Sequence, residues 1–443
     1  MQNQGIRDAR SLGTPKLLVL GLQHMFAMFG ATVLVPALTG LSVSATLLFA
    51  GLGTLFFHFL TKGKVPAFLG SSFAYLAGYA AIAPNGETAL LPYACVGVAA
   101  SGLLYLILAA LVRGFGANRV MRFFPPVVTG PIIICIGMTL ANSAINNCTG
   151  SWDIALVAII TVVVFNIWGK GMLRIIPILL GVLVSYTYAA VTGRVDFSGV
   201  ANAAWIGLPV KMENTVFSLI GNCDVNLLVT AIIAIMPIAF ATMIEHIGDI
   251  CAISSTVGEN FIADPGLHRT LLGDGLATSI ASLFGAPANT TYGENTGVLA
   301  LTRVYDPLVI RLAAVYAIIA SFCPKFAALV SAMPTGTIGG VSLILYGMIS
   351  AIGVRNLVEN RVDLAKSRNV IVVSLIISLA LGITFSAAGA ITFHVGEFTL
   401  NFSGLAVAAI VGIVVNAILP GKDYNFQNNY EYGKTTEDHG QML

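Results

Sequence analysis

The stretch APANTTYGENTGVLALTR, residues 286–303, is the most informative part of this sequence because it places an acid inside an apolar segment. Glu294 is that acid, and Gly293 and Gly297 lie close to it on either side. A carboxylate at membrane depth is costly to keep, so such a residue usually marks a binding site or an ion pathway. Pro287 and the two glycines predict an interrupted backbone, which a membrane tolerates only inside protein or beside a cavity.

A second apolar stretch, AFATMIEHIGDI (residues 239–250), carries two more acids. Asp249 follows Glu245 by four residues, so on a helix the two carboxylates lie on one face, a single turn apart. We therefore predict that Glu245, Asp249 and Glu294 belong to one site within the membrane.

The composition indicates a membrane protein, because hydrophobic residues make up 57% of the 443 residues and charged residues only 9%. An average soluble domain is about 25% charged. A run of about 20 apolar residues spans a bilayer. We predict an all-α polytopic membrane protein with fourteen spans, at 16–39, 43–61, 67–83, 91–113, 124–145, 153–169, 172–193, 226–250, 269–285, 288–303, 307–332, 335–354, 369–388 and 401–419.

The distribution of basic residues predicts the orientation. With both termini in the cytoplasm, nearly all of the 22 Lys and Arg residues fall in cytoplasmic loops. Only Arg194, Lys211 and Lys325 then face outward, and Arg311 falls within a span. This bias predicts a multi-pass protein of the plasma membrane (a cell inner membrane), surrounded by lipid, with both termini cytoplasmic. The net charge of +2 therefore reflects topology and does not indicate a nucleic-acid partner.

The sequence carries no signature of an enzyme. The six cysteines have no metal-binding spacing, and we find neither a phosphate loop nor a Ser-His-Asp set. We therefore predict no catalytic residues, no metal and no resident cofactor. A channel would need a continuous polar pore, whereas this chain concentrates its membrane acids at two points.

The two halves of the sequence resemble each other. QH at 23–24 corresponds to EH at 245–246, and SSFA at 71–74 corresponds to TTYG at 290–293. A third match follows in the same order, with Gly130, Gly137 and Met138 corresponding to Gly340, Gly347 and Met348. The matched positions are seven spans apart, an odd number, so the second copy must be inverted in the membrane. Inverted repeats with broken helices at matching positions are typical of transporters.

Two matching segments are expected to be extended. LGSSFAY (residues 69–75) and ANTTYGEN (residues 288–295) combine hydroxyl, β-branched and aromatic residues, which favour strands. Because bare strand edges cannot face lipid, we expect the two segments to pair in the interior. Each would continue into a half-helix whose N-terminal amides can donate to a carbonyl or an anion.

Five motifs carry a family resemblance. They are QHMFAMFGATVLVP (23–36), EHIGD (245–249), DPGLHR (264–269), NTTYGENTGVLALTR (289–303) and GGVSLILYG (339–347). Together they resemble the nucleobase–ascorbate transporter family, over residues 16 to 420. The resemblance implies a secondary active transporter that imports a nucleobase with a proton, the base being uracil in the members that it resembles most.

The resemblance also implies an architecture. It predicts fourteen transmembrane segments in a seven-plus-seven inverted repeat, with short antiparallel strands in segments three and ten. A core domain (16–114 and 226–332) would work against a gate domain (119–193 and 333–419), followed by a cytoplasmic tail (420–443). Homodimers would form through the gate domains.

Residue roles follow from the same resemblance. Glu245 and Glu294 are expected to hydrogen-bond the base, and the backbone amides at Phe73 and Gly293 to meet its carbonyls. The full substrate-binding set that we predict is Glu245, Glu294, Phe73, Gly293, Tyr346, Ser342 and Tyr292. The residues predicted for proton coupling are Asp249, Glu294, Glu245 and His24.

Position 249 departs from the pattern of the uracil-transporting members, so alternatives remain for the substrate and for the mode of transport. Uracil-transporting members commonly carry His where this sequence has Asp249, and purine-transporting relatives tend to have Asp there. Those purine transporters, however, usually have Gln at the position of Glu294. The alternatives are a symporter of xanthine or uric acid, coupling to sodium in place of the proton, or a passive nucleobase facilitator.

Overall fold

A computed structural model describes residues 5–221, 223–395 and 398–422. Most of the predicted tail, 420–443, lies outside these residues. The helices of the first half are α1 (Thr14–Thr39), α2 (Val43–Leu60), α3 (Leu76–Ile82), α4 (Leu91–Phe115), α5 (Ala117–Met121), α6 (Pro126–Cys148), α7 (Trp152–Trp168), α8 (Met172–Ile175) and α9 (Pro177–Val191).

A long connection joins this half to the next and contains the short helix α10 (Ser198–Asn202). The remaining helices are α11 (Val225–Ile235), α12 (Ala239–Val257), α13 (Leu267–Leu283), α14 (Glu294–Thr302), α15 (Pro307–Ser321), α16 (Pro324–Ser331), α17 (Thr335–Glu359), α18 (Ser367–Thr384) and α19 (Gly404–Ile418).

Two short strands lie where the sequence predicts extended segments. β1 (Leu69–Ser71) pairs antiparallel with β2 (Asn289–Thr291), and all six residues are buried. Each strand continues into helical backbone: β1 is followed by the 3₁₀ turn Phe73–Tyr75 and α3, and β2 is followed by α14. Predicted spans three and ten are therefore strand–helix units.

A second strand pair was not predicted. β3 (Ala390–Val395) and β4 (Phe398–Ser403) form an antiparallel pair between α18 and α19. Its β-branched and aromatic residues favour strands, but predicted span fourteen (401–419) includes the end of β4. Predicted span thirteen (369–388) corresponds to α18, which ends at Thr384, and the helix of predicted span fourteen (401–419) begins at Gly404.

Prolines break three of the predicted spans. Span seven (172–193) is two helices because Ile176, before Pro177, leaves helical geometry. Predicted span eleven (307–332) is bent, since α15 and α16 meet at 88°. The residue before Pro324 is extended there, as expected from the clash between a proline ring and the preceding residue.

Span eight is also interrupted, at Pro237, where the 3₁₀ turn Met236–Ile238 separates α11 from α12. It runs on to Val257, beyond its predicted end. Among the described residues, seven helices are long and apolar enough to cross a membrane alone, or eight if α15 and α16 count as one. Several shorter apolar helices accompany them.

The helices pack in two groups. The strand group consists of α1, α2, α4, α13 and α15, which contact one another, with α1, α2 and α13 also packing on β1 or β2. The α17 group consists of α6, α7, α9, α17, α18 and α19, in which α6 packs along most of α17. α12 contacts members of both groups, so its acids face the boundary between them.

Candidate functional site

The β1–β2 pair forms the floor of the site. Gly70 lies opposite Thr290, and a Cβ atom at Gly70 would approach the Tyr292 ring to 2.6 Å. The Tyr292 hydroxyl donates to the carbonyl of Ser71 at 2.8 Å. A glycine at position 70 therefore lets the Tyr292 ring close over strand β1.

A cavity of about 40 Å³ lies beside this strand pair. One side of the cavity is polar and consists of α12 together with the ends of β1 and β2 and the residues that follow them. The other side consists of α6 and α17. The lining residues are Ser71, Ser72, Phe73, Thr290, Thr291, Tyr292, Gly293, Glu245, Asp249, Ile133, Ile349 and Ile352.

The structure brings most of the predicted site residues together. Glu245, Phe73, Tyr292 and Gly293 line the cavity, as does Asp249. Both α12 acids are partly exposed. The two acids on α12 and the two strand segments thus meet at one cavity.

The remaining predicted residues lie at or behind the edge of the cavity. The Tyr346 ring meets the Phe73 ring edge-on, with centroids 5.6 Å apart and planes at 76°. Ser342 is buried one turn earlier on α17. Neither belongs to the cavity lining. Glu294 is the first residue of α14, and its side chain lies outside what the structure describes.

Asp249 lies against the beginning of α14. A Cβ atom at Gly293 would be 3.0 Å from Oδ1 of Asp249, so a side chain at position 293 would press on the carboxylate. An acid near a helix N-terminus is favoured by the partial positive charge of the free amides. Gly293 therefore allows α12 and α14 to approach at the point where the predicted binding residues meet.

His24 is buried in α1, outside the cavity lining, and contacts Asn295. Nδ2 of Asn295 lies 3.3 Å from the His24 carbonyl and 3.3 Å from its Nδ1 atom. Asn295 follows Glu294 directly in the sequence, and its contact with His24 was not predicted from the sequence. Its contact holds the start of α14 against α1.

A further buried acid, Asp274 on α13, supports the strand floor and was not predicted as a site residue. Its Oδ1 atom accepts from the Thr291 backbone N–H at 2.8 Å and from the Thr291 hydroxyl at 3.0 Å. Its Oδ2 atom lies 3.4 Å from Nδ1 of His246, and both side chains are fully buried. The same rule that selected Glu245, an acid in an apolar segment, applies to Asp274.

His246 completes this support. Its Nδ1 atom lies 3.0 Å from the Thr291 hydroxyl and its Nε2 atom 3.0 Å from the Thr270 hydroxyl. Because the Thr291 hydroxyl donates to Asp274, we infer that Nδ1 of His246 carries the proton and donates to Thr291. His246 and Asp274 therefore act on the cavity through β2 and do not line it.

Comparison with known proteins identifies the family. A model described as "Permease family" matches residues 15–389, which is most of the chain. The chain belongs to the nucleobase–ascorbate transporter family of permeases. It is a multi-pass membrane protein and not an enzyme.

Close relatives of the permease cover almost its full length. A uracil permease of Bacillus caldolyticus is 42% identical over 437 residues, or 96% of each chain. A uracil permease of Bacillus subtilis is 40% identical, covering 99% of this chain and 98% of its own. One from Escherichia coli strain K12 is 38% identical over 90% of each chain.

Solved structures share the fold of the permease. The transmembrane domain of a cyanobacterium bicarbonate transporter matches 94% of this chain and 100% of its own, with a TM-score of 0.64 and 13% identity. A murine anion transporter of solute carrier family 26 matches 91% of this chain and 67% of its own, with a TM-score of 0.61 and 11% identity. At such identities the likeness concerns the fold alone.

Proposed function

We propose that the permease imports uracil by proton symport, through alternating access of a core domain against a gate domain. The relatives named above as uracil permeases support the substrate. The observation that carries the proposal is the cavity itself, in which the Glu245 carboxylate stands beside the starts of two helical segments, after β1 and β2.

Uracil fits the chemistry of this cavity. The base offers two N–H donors and two carbonyl acceptors on one side of its ring. A carboxylate accepts from N–H, while backbone amides donate to carbonyls. The Phe73 ring offers an apolar face against which a planar base can pack.

The size of the cavity supports alternating access. A cavity needs a volume of about 10–15 Å³ to hold one water molecule. The cavity of about 40 Å³ is therefore too small for a base and must widen before uracil can enter. Two hydrogen bonds hold the strand floor: the Thr291 N–H donates to Asp274, and the Tyr292 hydroxyl donates to the Ser71 carbonyl. The opposite wall stands on α6 and α17, which pack in the other helix group, and we infer that this wall moves.

We propose fourteen segments in a seven-plus-seven inverted repeat, with the strand group inside the core domain (16–114 and 226–332). The α17 group would form the gate domain (119–193 and 333–419), through which two copies would dimerise. The bias of the basic residues supports cytoplasmic termini in the plasma membrane.

Uptake by the purified permease in proteoliposomes tests the function. We expect labelled uracil to accumulate against its gradient when the interior is alkaline, and a protonophore to abolish this. Accumulation that follows a sodium gradient would indicate sodium coupling, and equilibration without accumulation would indicate a facilitator. Competition by unlabelled xanthine and uric acid at two pH values tests the purine alternative, and stronger competition by these purines than by uracil would contradict our proposal.

Asp249 is expected to carry the coupling proton. Its carboxylate is one helical turn from Glu245 and both line the cavity, so a proton bound at Asp249 would reduce the negative charge beside the base. Asp249→Asn should bind uracil and exchange it across the membrane, yet fail to accumulate it. Counterflow and gradient-driven uptake on the same proteoliposomes measure the two activities.

A matched control for this variant is Asp153→Asn, which removes an exposed acid paired with Arg194. It should accumulate uracil normally. If Asp249→Asn accumulates uracil with the proton stoichiometry of the wild type, coupling must run through Glu294, Glu245 or His24.

Glu294 is expected to set the preference among bases. Glu294→Gln replaces an acceptor by a group that both donates and accepts, which suits a purine edge better. We expect the variant to retain part of its uracil binding, to lose the pH dependence of binding and to gain affinity for xanthine. A competition panel of free bases at two pH values measures this, and an unchanged profile would refute the assignment.

A further inference from the structure

The two sides of the cavity differ in chemistry. Among the described residues, α6 and α17 contribute only isoleucines to its lining, Ile133, Ile349 and Ile352, which we call the isoleucine wall. Ile133 and Ile349 are buried, with 5% and 9% exposure, whereas Ile352 is 46% exposed. Carboxylates, hydroxyls and strand-end backbone all lie on the other side.

This asymmetry fixes how a pyrimidine can lie, if the function proposed above is correct. The N–H and carbonyl groups of uracil occupy four consecutive ring positions, N1 to C4, and need the polar side. The remaining edge, C5–H and C6–H, has no hydrogen-bonding group. It must therefore face the isoleucine wall, because a buried polar group without a partner is costly.

The same edge distinguishes uracil from larger bases. Thymine carries a methyl group at C5, and a purine has its second ring fused there. β-branched Ile side chains have few rotamers in a helix and cannot turn aside cheaply. A base extended at this edge would thus collide with the wall.

The two helices that carry the wall lie in close contact. A Cβ atom at Gly137 would lie 2.2 Å from the Tyr346 carbonyl, and one at Gly353 would lie 2.6 Å from the Gly130 carbonyl. Glycines on both helices therefore bring α6 and α17 into backbone contact on either side of the isoleucines. Ile133 and Ile349 consequently move together, as one surface.

We propose that the isoleucine wall, through Ile133 and Ile349, is the size filter of the permease, which admits uracil and excludes bases extended at the C5–C6 edge. This inference rests on the proposed function and deepens it. It assigns the choice between pyrimidine and purine partly to the apolar wall, in addition to the acids.

Competition binding on the purified, full-length permease tests the filter. Labelled uracil is displaced by unlabelled uracil, thymine or xanthine. A methyl group in a fitted apolar pocket is worth about 10-fold to 200-fold in discrimination. We expect the preference of the wild type for uracil over thymine to fall about tenfold in Ile349→Ala and in Ile133→Ala, while uracil itself still binds.

Ile371→Ala is the control, because Ile371 is half-exposed on α18 and outside the cavity lining; its preference should equal that of the wild type. Should an alanine variant fail to fold, Ile349→Val and Ile133→Val test the same point with a smaller expected change of about threefold. If the wild type binds uracil and the variants keep its ratio of uracil affinity to thymine affinity, the proposal of a size filter is wrong. If the wild type binds no uracil, the proposed function itself fails.

Discussion

Glu245→Gln is expected to weaken uracil binding by about tenfold to a hundredfold. The carboxylate lines the cavity beside the strand floor, where it can accept from ring N–H groups. Hydrogen bonds to charged groups contribute about 1.5–3 kcal/mol, and each 1.4 kcal/mol is about a tenfold change in affinity. Glutamine has the same shape as glutamate but lacks the charge and one acceptor. The loss of affinity therefore measures the hydrogen bonds to the base and not a change in packing.

Equilibrium binding of labelled uracil to purified protein measures this loss. Glu359→Gln makes the same change at an exposed position, where the acid pairs with Arg355 on α17, and should bind uracil as the wild type does. Binding by Glu245→Gln within threefold of the wild type would count decisively against Glu245 as an anchor of the base.

Asp274→Ala is expected both to lower the melting temperature and to abolish uracil binding. The substitution leaves the Thr291 N–H without its acceptor and removes the acid beside His246. An unsatisfied buried donor costs about 1–3 kcal/mol. Because Thr291 belongs to β2, the loss is expected to distort the strand floor and the start of α14 together.

Thermal unfolding and uracil binding of the same sample test this prediction. Asp153→Ala removes an exposed ion pair of small value and serves as the control. Asp274→Asn keeps an acceptor for the Thr291 N–H and should recover part of the stability. An Asp274→Ala protein with normal melting temperature and normal binding would show that the floor does not depend on this acid.

Much of the site could be predicted from sequence because membrane burial makes acids rare. Glu245 and Asp249 were selected on that physical ground, and both line the cavity. The extended segments around Ser71 and Thr290 were predicted from their residue types, and they form the paired strands. Here the strand propensity of the residues and the cost of unpaired backbone in lipid both predict a buried strand pair.

Other features depend on contacts that a single sequence does not display. Hydropathy measures how apolar a segment is and not its direction, so the 88° turn before Pro324 was hidden within one apolar run. The edge contact of Tyr346 with Phe73 joins residues from different halves of the chain. Asp274 could have been selected by the rule used for Glu245, but its hydrogen bonds to Thr291 are visible only in three dimensions.

The pairing of β1 with β2 also has a consequence for biosynthesis. β1 (Leu69–Ser71) finds its partner only when the ribosome has made β2 (Asn289–Thr291), about 220 residues later. At about 5–20 residues per second, roughly 10–45 s separate the two strands. During that interval the polar backbone of β1 is incompatible with lipid, so the nascent first half must be sheltered by the insertion machinery or by water. A nascent chain that stops before Asn289 is therefore expected to be a substrate for quality-control proteolysis.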